Sequence, residues 1–202
     1  MVPALNKSEI DKKVQERYER DEQRIVGLMM VRYSGNNKAY VDENYNHWHS
    51  ITNKNFDIFW PGYGKYGSEK DLILNTDNND KRVFFDDRSF IEINNTLKRK
   101  IKKFNPNDGG PILILLNYRN GALDYSQALV VNLFRQYNNN PYAIQQTVDT
   151  INELVYSNHD INDVYFRAKV KYSNEKNNFS ISPIQIYNTG MSTISFILSF
   201  FG

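Results

Sequence analysis

The chain has 202 residues, 25 Lys+Arg against 23 Asp+Glu, a net charge of +2, 40% hydrophobic residues and no cysteine. That is enough chain for one sizeable core, and the missing cysteines exclude disulfide frameworks, zinc ribbons and thiol chemistry. A near-neutral balance argues against a surface built mainly for phosphate backbones or anionic membranes, so any basic face must be local.

The expected organisation is an N-terminal charged helix over residues 1–24, then a single α/β domain over 25–202. Ser8 followed by Asp11 approximates a capping box, and Ile10, Val14 and Tyr18 recur as a narrow apolar stripe among charges. The stripe fits a helix packed on the domain; a coiled-coil or linker contact with a partner is the alternative. Met1–Ser8 lacks the apolar core of a secretory signal and no run approaches ~18 apolar residues, so a cytoplasmic protein without a membrane span is expected.

Ile25–Val31 is a continuous apolar run of the kind found in strands buried on both faces. It ends at Tyr33-Ser34-Gly35-Asn36-Asn37, and Lys38–Ser50 reads as a helix. Phe56–Trp60 predicts a second strand, stopped by Pro61-Gly62-Tyr63-Gly64. Leu72–Leu74 and Val83–Phe85 flank a polar stretch and predict a hairpin. Ser89 and Glu92 then form a capping box for a helix carrying Phe90, Leu97, Ile101 and Phe104. Pro111–Leu116 is a buried strand candidate ended by Asn117–Gly121. Asp124 with Gln127 repeats the capping-box pattern and favours a helix over Asp124–Phe134, with a strand over Ala128–Phe134 as the alternative.

Asn140 as cap and Pro141 at the first helical position predict a helix bearing Ile144, Val148, Ile151, Leu154 and Val155. From about residue 158 the pattern turns to β, with Val164–Tyr172 and Ile181–Tyr187 expected to pair as an antiparallel hairpin. This order predicts an α/β fold with a mostly parallel sheet, helices on both faces in flavodoxin-like or thioredoxin-like order, and an antiparallel C-terminal hairpin. Residues 177–202 carry no charge and close on a Phe- and Ile-rich end, so residues 189–202 either complete the core, meet a protein partner or a second copy, or insert as an amphipathic end into a membrane surface.

In parallel sheets ligands bind beyond the carboxyl ends of the strands, which selects the loops Tyr33–Asn37, Pro61–Gly67 and Asn117–Asp124. Tyr33, Ser34, Asn36, Tyr63, Tyr118, Arg119 and Asn120 are the candidate ligand contacts, since Tyr offers a stacking face and Asn both donors and acceptors. Lys98, Arg99, Lys100, Lys102 and Lys103 crowd one helix end, where cations favour the negative terminus; Lys98, Arg99 and Lys102 are also candidate contacts to phosphate or nucleic acid.

His47 and His49 could share a metal only if extended, because i and i+2 point apart on a helix. With Asp57, Asp86 and Asp87 they would form a hydrolase-type site that activates water. Asp86 and Asp87 are equally explained as acids before a helix N-terminus. Phosphate-loop, dinucleotide and nucleophile-elbow spacings are absent, so no cofactor is expected. The expected function is therefore a non-catalytic binding or sensor module for a small polar ligand or a protein partner, with a metal-dependent, nuclease-like hydrolase as the alternative.

Val31–Val41, with Phe56–Gly62 and Ile112–Asn117 downstream, is loosely similar to the first strand-loop-helix and later strands of TIR domains, over short pieces making up about a third of the chain. TIR enzymes that cleave NAD use a glutamate on the helix after the third of these strands, and Asp124–Phe134 contains none. The resemblance thus implies a scaffold or sensor. A thioredoxin-like arrangement without its cysteines matches the element order as well.

Overall fold

The computed structural model describes residues 2–44, 48, 56–65, 73–74, 83–101, 111–133, 141–174 and 184–188. Its first strand, β1 (Val2–Ala4), is too short to leave a periodic signal, yet it pairs with β3 (Ile58–Pro61) in parallel, Val2 opposite Phe59. Helix α1 (Lys7–Arg17) follows. Its cap is Asn6, two residues before the expected Ser8: the Asn6 side chain accepts the Glu9 N–H at 2.9 Å, and the Glu9 carboxylate accepts the Leu5 N–H at 2.6 Å. The first is the cap bond of a capping box; in the second, Glu9 reaches one residue past the cap and takes the N–H of Leu5 instead of that of Asn6. Ile10 and Val14 are buried, so the apolar stripe of α1 is spent on the domain itself.

Strand β2 (Arg24–Met30) lies next to β3 in parallel, and residues 37–44, here α2, are helical. Beyond Gly62 the chain does not stop but turns into a small antiparallel sheet of β4 (Tyr63–Lys65), β6 (Val83–Phe85) and β5 (Ile73–Leu74), in that spatial order. The β5–β6 pairing is the expected hairpin, with Leu74 opposite Val83.

Helix α3 (Asp87–Lys100) starts three residues earlier than the Ser89 box predicts. Asp86 is the cap, its carboxylate accepting the Ser89 N–H at 2.6 Å. Its apolar face buries Phe90, Ile93 and Leu97.

The main sheet has six strands in the order β1-β3-β2-β7-β8-β9, with β7 (Ile112–Arg119), β8 (Ala122–Asn132) and β9 (Ile184–Asn188). It is mixed, which corrects the expectation of a mostly parallel sheet: β2–β7, β7–β8 and β8–β9 are all antiparallel. The expected helix over Asp124–Phe134 is strand β8. Asn120 and Gly121, at φ of 54° and 79°, make the two-residue left-handed turn that a tight hairpin requires, and Arg119 faces Ala122 across it. Strand β7 accordingly runs through Asn117, Tyr118 and Arg119, which are strand residues and not loop. An antiparallel β2–β7 pair also removes the all-parallel core that a TIR-like or flavodoxin-like order demands.

Helix α4 (Pro141–Tyr156) is as expected, with Val148, Ile151 and Val155 buried; Asn140 lies outside the described residues. The expected strand Val164–Tyr172 is instead helix α5 (Ile161–Asn174), which buries Ile161, Val164, Tyr165 and Ala168 at helical spacing. No C-terminal hairpin forms with it: β9 overlaps the expected Ile181–Tyr187 return strand but pairs with β8, Leu129 opposite Ile186.

Two apolar layers sandwich the sheet. Residues of α1 and α3 join Val26, Leu28, Ile114 and Leu116 on one face; α2, α4 and α5 join Met29, Leu113, Leu115 and Leu129 on the other. Among the described residues no helix is long and apolar enough to cross a membrane.

Candidate functional site

Strands β2 and β3 are parallel, Gly27 opposite Ile58 and Leu28 opposite Phe59, so both deliver their carboxyl ends to one edge of the sheet. From there the chain diverges. After β2 it enters α2 on one face; after β3 it passes through β4 and β6 to α3 on the other. Divergence of this kind marks the usual ligand position of α/β sheets, the region between the strand ends, here called the crevice.

The crevice has a stiff aromatic base. Trp48, Trp60, Tyr63 and Phe85 follow one another with centroids 6.4, 5.4 and 5.0 Å apart, and Tyr33 stands at the outer end, 6.5 Å from Phe85. Tilted and edge-on pairs at these distances are favourable. Tyr63 is wholly buried and its hydroxyl donates to the Val31 carbonyl at 3.1 Å, so this expected ligand contact is a support instead. Tyr33 is half-buried; its hydroxyl donates to Asp42 Oδ1 at 3.0 Å, and Lys38 Nζ lies 5.5 Å from its ring centroid. Burial, then the hydrogen bond to Asp42, push its phenol up to about 12. Ser34, Gly35 and Asn36 beside it are exposed, and Gly35 adopts φ 53° with open space around it.

Across the crevice, Arg32 donates from Nε and Nη2 to the two oxygens of Asp87 at 2.5 and 2.6 Å, a forked pair that raises the guanidinium pKa further. Gly62, at φ 82°, is required here: a Cβ would come within 2.8 Å of Phe90 Cβ, and its carbonyl accepts the Asp86 N–H at 2.8 Å.

The other three expected ligand contacts lie elsewhere. Because β7 is antiparallel, Tyr118 faces Arg24 at the start of β2, about 20 Å along the strand from Met30 at ~3.3 Å per residue. Tyr118 is buried, stacks 5.3 Å from Tyr18 and donates to its carbonyl at 3.3 Å. Arg119 pairs with Asp124 across the hairpin, and Asn120 is the exposed turn residue. Burial alone would raise the Asp124 carboxyl, but the bonds from Ser126 and Arg119 outweigh it and hold it low. The Asp124–Gln127 pattern that suggests a helix cap is thus a hairpin feature.

The carboxylates of the hydrolase site are also separated. Asp57 lies beside Gly27, its carbonyl accepting that N–H at 2.9 Å, and its carboxylate accepts Arg17 at 2.6 Å and Tyr18 at 2.7 Å. Burial and the neighbouring Asp57 raise the Tyr18 phenol well above its ordinary value. Asp86 and Asp87 are at the far end of β3, engaged in the α3 cap and the Arg32 pair. His47 and His49 lie outside the described residues, and among the described residues no group of three His, Asp or Glu could hold a metal.

A polar cluster absent from the sequence expectations occupies the start of α5. Buried Asn117, at an irregularity in β7, donates to Asp160 Oδ2 at 2.9 Å and accepts the Ile161 N–H at 3.0 Å; Asp160 also accepts the Asn162 N–H. Its job is to bond the exposed end of a helix to the sheet. Lys98, Arg99 and Lys100 form the exposed last turn of α3, whereas Lys102 and residues 189–202 lie outside the described residues.

No protein-family model, curated protein or solved structure matches the chain.

Proposed function

We propose that this chain is a non-catalytic binding or sensor module that takes a small polar ligand in the crevice at the carboxyl ends of β2 and β3. One observation carries the proposal: Tyr33 is held half-buried on a column of packed aromatics, beside exposed Ser34 and Asn36, where the chain diverges to the two faces of the sheet. A braced ring with adjoining amide and hydroxyl groups binds at low ordering cost. The acidic groups that hydrolysis would recruit are instead engaged in caps and ion pairs at two separate places. Residues 189–202, uncharged and aromatic-rich, are the proposed protein contact, because the apolar stripe of α1 is already buried.

Native mass spectrometry of the purified protein tests the ligand. A bound small molecule should be present in the wild type and depleted in Tyr33→Ala of unchanged stability. Divalent-metal-dependent cleavage of nucleic acid that disappears in His47→Ala would replace the binding function with the hydrolase.

A further inference from the structure

A second concavity, of about 160 Å³, lies on the opposite side of the molecule between α1, the end of α3 and the start of β8. Its floor is apolar, formed by Val14 and Leu123, and its rim carries Lys7, Asp11, Lys100 and Tyr125. It is comparable to the ~150 Å³ cavity known to admit benzene, which limits an occupant to a small molecule or one end of a larger one.

The charges on this rim are unbalanced. Asp11 is matched by Lys7 one turn away. Lys100 has no carboxylate partner among the described residues and stands 4.2 Å from the Tyr125 ring centroid, a cation–π contact that leaves its donors available. Lys98 and Arg99 on the same turn have no acidic partner among the described residues either; Arg99 donates to the Thr96 hydroxyl at 3.2 Å. At the groove's end the Arg20 stem packs on Gly121, with Cγ 3.2 Å from where a Cβ would stand, and adds a further cation near the hairpin turn. Burial, with Asp11 second, raises the Tyr125 phenol well above its ordinary value, so it remains a neutral donor at physiological pH.

We propose that this groove is a binding site for a phosphate group, free or as a phosphomonoester, held between Lys7 and Lys100 with the Tyr125 hydroxyl as a further donor. Lys7 is shared with Asp11, so the rim carries one net positive charge, and with a phenolic donor over an apolar floor it suits a compact monoanion, such as monoprotonated phosphate, with a small organic substituent. A long nucleic-acid strand would need the basic groups to continue along a track, and the groove is closed by the hairpin turn.

The test follows amide shifts of Gly121, Ala122 and Leu123 in the full chain while inorganic phosphate, and separately phenyl phosphate, replaces chloride at constant ionic strength. Saturable shifts are expected, and Lys100→Gln and Lys7→Gln should each weaken binding by about tenfold with little change in melting temperature. Tighter saturation by phenyl phosphate assigns a phosphomonoester; equal or tighter saturation by inorganic phosphate assigns the free ion. Linear shifts equal to those in chloride, or affinities unchanged in both variants, would overturn the site. So would steeply salt-dependent binding of a single-stranded oligonucleotide without a saturable phosphate response.

Discussion

The guanidinium of Arg32 is bound through two of its nitrogens to both oxygens of Asp87, and this forked contact joins the end of β2 to the first turn of α3 across the candidate crevice. Both side chains are 44% exposed, so the pair contributes little to folding, about 1 kcal/mol or less. Arg32→Ala should therefore lower the unfolding free energy by no more than that in urea titration. Asp87→Ala should cost more than Arg32→Ala, because it also removes an acid from the α3 N-terminus.

Asn117 is a structural counterpart at the opposite edge. Truncation leaves the Ile161 N–H without its partner and takes from Asp160 Oδ2 the nearer of two donors, Gln23 remaining at 3.3 Å, so Asn117→Ala should lower stability by about 1–3 kcal/mol. Asn117→Asp should be at least as damaging at neutral pH, since it brings a second carboxylate against Asp160. Urea midpoints of the two variants check the order.

Gly62→Ala should cost about 2–4 kcal/mol, combining a left-handed backbone with a collision against Phe90. Gly35→Ala is the control. It has a similar backbone conformation but open space around the position, so it should cost about 1 kcal/mol by thermal melting.

The raised Tyr33 phenol sets a direction for alkaline pH. The folded state holds this proton to about pH 12, whereas the unfolded chain releases it near the ordinary tyrosine value of 10.0. Between these values the native state binds more protons than the unfolded one, so this contribution to stability is complete below pH 10 and disappears as pH rises towards 12. Titration of the Tyr33 ring carbon by nuclear magnetic resonance should show the late midpoint, and Asp42→Asn should move it down.

Several elements were legible because one pattern dominated each. Ile25–Val31 and Pro111–Leu116 are continuous apolar runs that could only be buried strands or short core helices, and Pro141 fixed the start of α4. Two segments carried competing periods. Val164, Phe166, Ala168, Val170 and Tyr172 alternate as a strand would, but Val164, Tyr165 and Ala168 also follow Ile161 on one helical face, and packing against α4 decided for the helix. In β8 the Asp124–Gln127 spacing imitated a cap, while the Asn120-Gly121 dipeptide, the stronger hairpin signal, stood just before it. That turn makes β8 the antiparallel partner of β7. The direction of β7 against β2 is a separate matter: β7 runs antiparallel to β2, which puts Tyr118, Arg119 and Asn120 at the other end of the sheet from Tyr33, Ser34 and Asn36, and no local pattern reveals a pairing between strands so far apart in the chain.

The crevice is tested most directly by mapping amide shifts across the protein against a library of small polar metabolites. A crevice binder predicts saturable shifts centred on Tyr33, Ser34 and Asn36 with weaker effects at the start of α3, all lost in Tyr33→Ala. Binders whose shifts map only to other parts of the chain, or that bind Tyr33→Ala undiminished, would contradict it.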